Sequence, residues 1–103
     1  MNEHVPVHSA VRCAAKVETP NASRYLQQLC KHFAHKRPVT FDERSGQIDF
    51  AIGACRLAAV ENSLRITLSS ADDAQMAQLQ DVVVRHLVRF AFREELKIAW
   101  RHG

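Results

Sequence analysis

The sequence predicts an α+β fold: one antiparallel sheet with two helices on one face, in the order β-α-β-β-β-β-α-β. Three observations predict it. Two stretches, from "TPNAS" to "HKRP" and from "SSADD" to about Phe90, repeat apolar residues at helical spacing. Between them lie four short β-prone segments, "PVTF", "GQIDFAI", "ACRLAAV" and "SLRITLS", parted by "DERSG", Gly53 and "ENS". Alternating segments flank the whole, one opening at Val11 and the other "LKIAW".

Residues 1–8, "MNEHVPVH", have no hydrophobic period and read as a flexible N-terminal tail, leaving 9–103 as a single domain. From Val11 the chain alternates, with Val11, Cys13, Ala15 and Val17 on one side and Arg12, Ala14 and Lys16 on the other, as in a half-buried strand. Thr19 or Asn21 caps the first helix, and Pro20 sits where a missing N–H does no harm. Basic residues suit that helix's C-terminal end, and Pro38 disfavours helix at Arg37. A serine cap followed by Asp72 and Asp73 starts the second helix, and "LKIAW" reads as the last strand.

The chain has 103 residues, 47% hydrophobic and 24% charged, which is enough for a core without a disulfide or metal. The net charge is +3 and the isoelectric point about 9.0, which favours an anionic partner. The three cysteines, Cys13, Cys30 and Cys55, are widely spaced with no CxxC pair. No basic start followed by an apolar run suggests a signal peptide, and no segment has the ~20 apolar residues of a membrane span. A reducing cytoplasm is the expected setting. Glycine-rich phosphate loops, nucleophile elbows and HExxH are all missing, so neither a catalytic residue nor a cofactor is indicated.

"YLQQLCKHFAHK" concentrates a cysteine and two histidines. At about 100° per residue, Ala22, Leu26, Leu29, Cys30 and Phe33 form one apolar stripe, so Cys30 is a core residue. His32 lies about 200° from it and His35 about 140°, which rules out a shared metal or a Cys–His dyad within one helix. His32 and His35 can share a face. They read either as border residues or, with a third ligand, as part of a metal site. In the second helix Met76, Leu79, Val83, Leu87 and Phe90 form the stripe, with His86 at its edge, a border residue or a third ligand.

If both helices cover one side of the sheet, its other face is open. The two-residue period places Arg12, Lys16, Arg56, Arg65, Lys97 and Arg101 there, against Glu18, Asp42 and Asp49. Such a face suits an anionic ligand or an acidic protein partner, or is simply solvated. Nucleic acid is disfavoured, because Phe41, Phe50 and Trp100 belong to the inward register and no aromatic interleaves with the arginines. Pairing of two sheets in a homodimer is a further reading, although like charges would then face each other.

"SRYLQQLCKHFAHKRPVTFDERSGQIDF" and "LQDVVVRHLVRFAFREELKIAW" closely resemble a family of small bacterial proteins known as domain of unknown function 2218, from about Ala10 to Trp100. The resemblance implies a TATA-box-binding-protein-like or phosphohexomutase C-terminal-like layout, but supplies no activity. Related domains resemble the N-terminal part of longer siderophore-interacting proteins, which implies an accessory role in iron acquisition. This chain lacks the reductase portion, so flavin chemistry does not carry over. The leading expectation is a non-enzymatic cytoplasmic binding or adaptor domain with a basic sheet face. The alternatives are a metal-responsive protein using His32, His35 and His86, or a homodimerisation domain.

Overall fold

The computed structural model describes residues 10–102; the segment read as a terminal tail lies outside them. Eight elements follow in the expected order: β1 (Val11–Glu18), α1 (Ala22–Phe33), β2 (Val39–Phe41), β3 (Ser45–Phe50), β4 (Gly53–Val60), β5 (Ser63–Ser70), α2 (Asp73–Phe90) and β6 (Arg101–His102). The strands form one six-stranded sheet in the order β2-β3-β4-β5-β1-β6, with every pairing antiparallel. No helix among the described residues is long and apolar enough to cross a membrane.

Register decides which side chains meet the helices, because neighbours on a strand face opposite ways. Ile48 opposes Cys55, Leu57 opposes Ile66, and Cys55 opposes Leu68, which in turn opposes Cys13. These residues line a single buried layer together with Val17 and Leu64. Onto it α1 sets Ala22, Tyr25, Leu26, Leu29 and Cys30, while α2 sets Met76, Leu79, Val83 and Leu87. Both helices therefore cover the same face. Leu26 is fully buried, so truncating it to alanine would cost about 2–5 kcal/mol.

Gly46 on β3 allows α1 to sit close. A Cβ added there would lie 2.7 Å from the Cys30 sulfur and 3.1 Å from the Phe41 Cβ. Burial accordingly makes all three cysteines inert packing groups, with every thiol free. It pushes the Cys30 thiol up to about 11 and raises Cys55 and Cys13 as well.

Local chemistry shifts several boundaries from those expected. The cap of α2 is Asp72 rather than a serine, its carboxylate accepting from the Gln75 backbone N–H at 2.8 Å. Asn21 occupies the α1 cap position, but its side chain makes no capping bond and serves a different contact. Gly53 begins β4 instead of separating two strands, because the reversal occurs at Ala51 and Ile52.

The largest departure is the last strand. "LKIAW" keeps its alternation, with Leu96, Ile98 and Trp100 half-buried against the core, but only Arg101 and His102 join the ladder, opposite Ala14 and Cys13. Alternation records burial, whereas a ladder also needs the backbones to meet. Here the segment starts from Glu94, which is held to Thr19 and Asn21 beyond the end of β1. Phe50 and Trp100 pack inward as expected, while Phe41, in the inward register of a three-residue edge strand, stays 38% exposed.

A candidate anion-binding face and the groups around it

The open face of the sheet is built by the same register that fills the core. One row of outward residues crosses all six strands: Thr40, Gln47, Arg56, Thr67, Ala14 and Arg101. In the next row Ser45, Ala58, Arg65 and Lys16 stand side by side. Arg65 and Lys16 are thus directly opposed cations on neighbouring strands, an arrangement that destabilises a sheet unless something negative intervenes. The alanines between the long cations leave the backbone low, and two open hollows result.

The first hollow, about 640 Å³, is bordered by Thr40, Asp42, Gln47, Arg56, Arg65 and Thr67 among others. The second, about 460 Å³, lies across β5 and β1 and is bordered by Ala14, Lys16, Arg65, Thr67, Ala99 and Arg101. Arg65 and Thr67 belong to both. Four of the six expected basic residues therefore border the two adjoining hollows: Arg56 the first, Lys16 and Arg101 the second, and Arg65 both. Lys97 is exposed but borders neither hollow, and Arg12 borders a different one with Asp73, Met76, Gln80 and His102.

The three acids expected on this face each have a partner. Glu18 pairs with Lys16 at 3.7 Å, in an exposed pair of small energetic weight. Asp49 accepts from the Gln47 side-chain amide at 3.0 Å. Asp42 accepts from the backbone N–H groups of Arg44 and Ser45 at 2.8 and 2.9 Å, which hold its carboxyl below the usual range. Among the described residues, no carboxylate comes within ion-pairing distance of Arg56, Arg65 or Arg101.

The histidines divide. His32 on α1 and His86 on α2 face each other across the helix pair, ring centroids 4.8 Å apart, with Phe33 edge-on to both. His86 Nδ1 is 2.7 Å from the Val82 carbonyl oxygen, the partner expected for an Nδ1–H donor. Partial burial, then the charge of His86, Arg89, His35 and Lys36, lowers the His32 pKa. His35 does not join the ring pair. Among the described residues no group of three or more His, Cys, Asp or Glu side chains is arranged to hold a metal. A setting that includes Arg89 and Lys36 also disfavours a further cation.

One polar cluster has no counterpart in the sequence reading. Glu94, in the connection after α2, receives hydrogen bonds from Thr19 Oγ1 at 2.8 Å, Asn21 Nδ2 at 2.8 Å and the Tyr25 hydroxyl. These donors lower the Glu94 pKa, led by Tyr25 and Asn21. Tyr25 is raised in turn, first by burial and then by the carboxylate it touches. Partners so far apart in the chain leave no spacing signal.

Comparison with known proteins agrees with the fold. A family described as an uncharacterized protein conserved in bacteria, DUF2218, matches residues 14–101. The chain belongs to the DUF2218 family. It is also similar to PA4090 from Pseudomonas aeruginosa, solved by NMR, with 40% sequence identity and a TM-score of 0.74, over 87% of this chain and 94% of that one. No curated protein matches. The family description states no activity, so the reading of function rests on the chemistry of the surface.

Proposed function

We propose that the protein is a non-enzymatic binding domain whose open sheet face takes an anionic ligand or the acidic surface of a partner. The observation that carries this is an imbalance: among the described residues Arg56, Arg65 and Arg101 border two adjoining hollows with no carboxylate in ion-pairing distance, while Glu18 pairs with Lys16 and Asp42 and Asp49 accept hydrogen bonds from their own turn and strand. The opposition of Arg65 and Lys16 across β5 and β1 adds to it, since an anion between them would relieve their repulsion. Thr40, Gln47 and Thr67 supply neutral donors beside the guanidinium groups, as oxyanion recognition requires. A second copy stacked face to face would juxtapose the same cations, which favours an unlike, anionic occupant. The link to iron handling rests on the resemblance alone, and this reading does not need it.

Titration of the protein with inorganic phosphate, citrate and poly-glutamate, followed by calorimetry and thermal unfolding, tests the proposal. At least one of these anions is expected to bind and raise the unfolding midpoint, with affinity reduced at least about tenfold in Arg56→Ala/Arg65→Ala. Unchanged affinity in the double variant removes the sheet face from consideration.

A further inference from the structure

The turn that follows α2 presents an aromatic side chain to solvent and is held there from behind. Phe92 is 75% exposed, the most exposed large hydrophobic side chain among the described residues, while Ala91 beside it is 1% exposed. The Glu94 backbone N–H closes the turn onto the Ala91 carbonyl at 2.9 Å, and the Glu94 side chain is fastened by Thr19, Asn21 and Tyr25. Thr19 and Tyr25 are themselves buried, so the anchor rests on the body of the domain. The Arg93 guanidinium lies over the Phe92 ring, 5.4 Å from its centroid. Beside the pair is a concavity of about 320 Å³, bordered by Arg24, Tyr25, Gln28, Phe90, Phe92 and Arg93 among others.

We infer that this turn is a docking surface for an acidic segment of a partner protein carrying one aromatic or aliphatic anchor residue. Aromatic and arginine side chains beside a concavity are the groups that dominate protein interfaces. A turn fixed in advance binds without the loss of freedom that a mobile one would suffer. The choice of occupant follows from charge. Arg24 and Arg93 flank the concavity, and its one carboxylate, Glu94, is turned inward to three donors of the chain itself. An apolar residue entering the concavity would pack on Phe90 and Phe92, and acidic neighbours would meet the two arginines. A second copy docking through this surface by a two-fold axis would set arginine against arginine. This surface is separate from the open sheet face, so either can fail without the other.

The test uses the uniformly ¹⁵N-labelled full chain and three synthetic peptides: one with phenylalanine between acidic residues, one with alanine in place of the phenylalanine, and one with lysines in place of the acids. Titration is followed by amide chemical shifts. The acidic phenylalanine peptide is expected to move the signals of Arg24, Gln28, Phe92 and Arg93. Its affinity should fall about tenfold in Phe92→Ala and in Arg24→Ala/Arg93→Ala, all exposed or rim positions whose variants keep the wild-type spectrum elsewhere. The other two peptides should bind at least about tenfold more weakly. The inference is overturned if millimolar peptide moves none of these signals, or if the shifts map only to Arg56, Arg65 and their neighbours. It is overturned equally if the alanine peptide binds as well as the phenylalanine one, or if the same signals move with protein concentration alone.

Discussion

The Tyr25 hydroxyl, on the second turn of α1, donates to the Glu94 carboxylate, 69 residues further along the chain. That contact joins the start of one helix to the connection leaving the other, and Thr19 and Asn21 complete it. Asn21 gives up its own capping bond to take part, so the carboxylate of Glu94 stands at the N-terminal end of α1, where negative charge is favourable.

Glu94→Ala should therefore destabilise the fold by about 1–3 kcal/mol, because it removes the acceptor of the buried Tyr25 hydroxyl and leaves Thr19 Oγ1 only the Asn21 backbone N–H. Urea unfolding checks this. The pH dependence has a definite sign. The carboxyl is held below its ordinary value of 4.5, so its stabilisation is complete above that pH. As the pH falls below 4.5 the unfolded chain takes up the proton first, and the contribution is lost on passing through the folded pKa. Glu94→Gln should flatten that limb of the stability curve.

The His32–His86 pair predicts a second loss on acidification, at higher pH. His32 titrates below its ordinary 6.5 in the folded protein, so the unfolded chain binds the proton first and stability declines as the pH drops from 6.5 through the folded value. Desolvation is the first cause, and the cationic and titratable groups beside His32 add to it: His86 and Arg89 on α2, His35 and Lys36 in the turn after α1. His32→Gln should reduce the slope just below pH 6.5, measured as the thermal midpoint at a series of pH values. An unchanged slope would mean that neither desolvation nor the neighbouring cations disfavour the charged form of His32 in the folded protein.

The thiols should be silent in the native state. Cys13, Cys30 and Cys55 are each at most 2% exposed, and burial pushes Cys30 up to about 11. Iodoacetamide at pH 8 should leave the mass of the folded protein unchanged and add to all three cysteines in denaturant. Rapid modification of the native protein would contradict the packing described for the core.

Gly53 is not replaceable. Its φ of +152° belongs to a region that L side chains rarely adopt, and a Cβ there would lie 2.2 Å from the Ser69 carbonyl oxygen, a backbone atom with no freedom to yield. Gly53→Ala should cost about 3 kcal/mol or more, seen as a lowered unfolding midpoint. Glu61, at φ 53°, is the opposite case: glycine suits that hairpin position better, and Glu61→Gly should stabilise by about 0.5–1 kcal/mol.

Much of the architecture was legible before any coordinates because it is written in local periods. The 3.6-residue stripe of Leu26, Leu29 and Cys30, and the two-residue alternation of Cys13, Ala15 and Val17, each place a face toward the core without reference to a distant partner. The same alternation put the arginines of β4 and β5 outward. It misjudged "LKIAW" because Leu96, Ile98 and Trp100 bury like a strand without hydrogen-bonding like one.

By itself, then, the sequence determined the order of elements, the inert core cysteines and the basic character of the open face, since each depends on neighbours within a turn or a strand. Only the tertiary structure decided which of those cations converge, that His86 rather than His35 meets His32, and that Glu94 is an internal anchor instead of a surface acid. Strand order and register bring Arg56 and Arg101 onto one row. The crossing of two helices pairs the histidines, and the path of the chain after α2 returns Glu94 to Tyr25. Those proximities arise from how separate elements pack on a shared sheet, and no period within any one element encodes them.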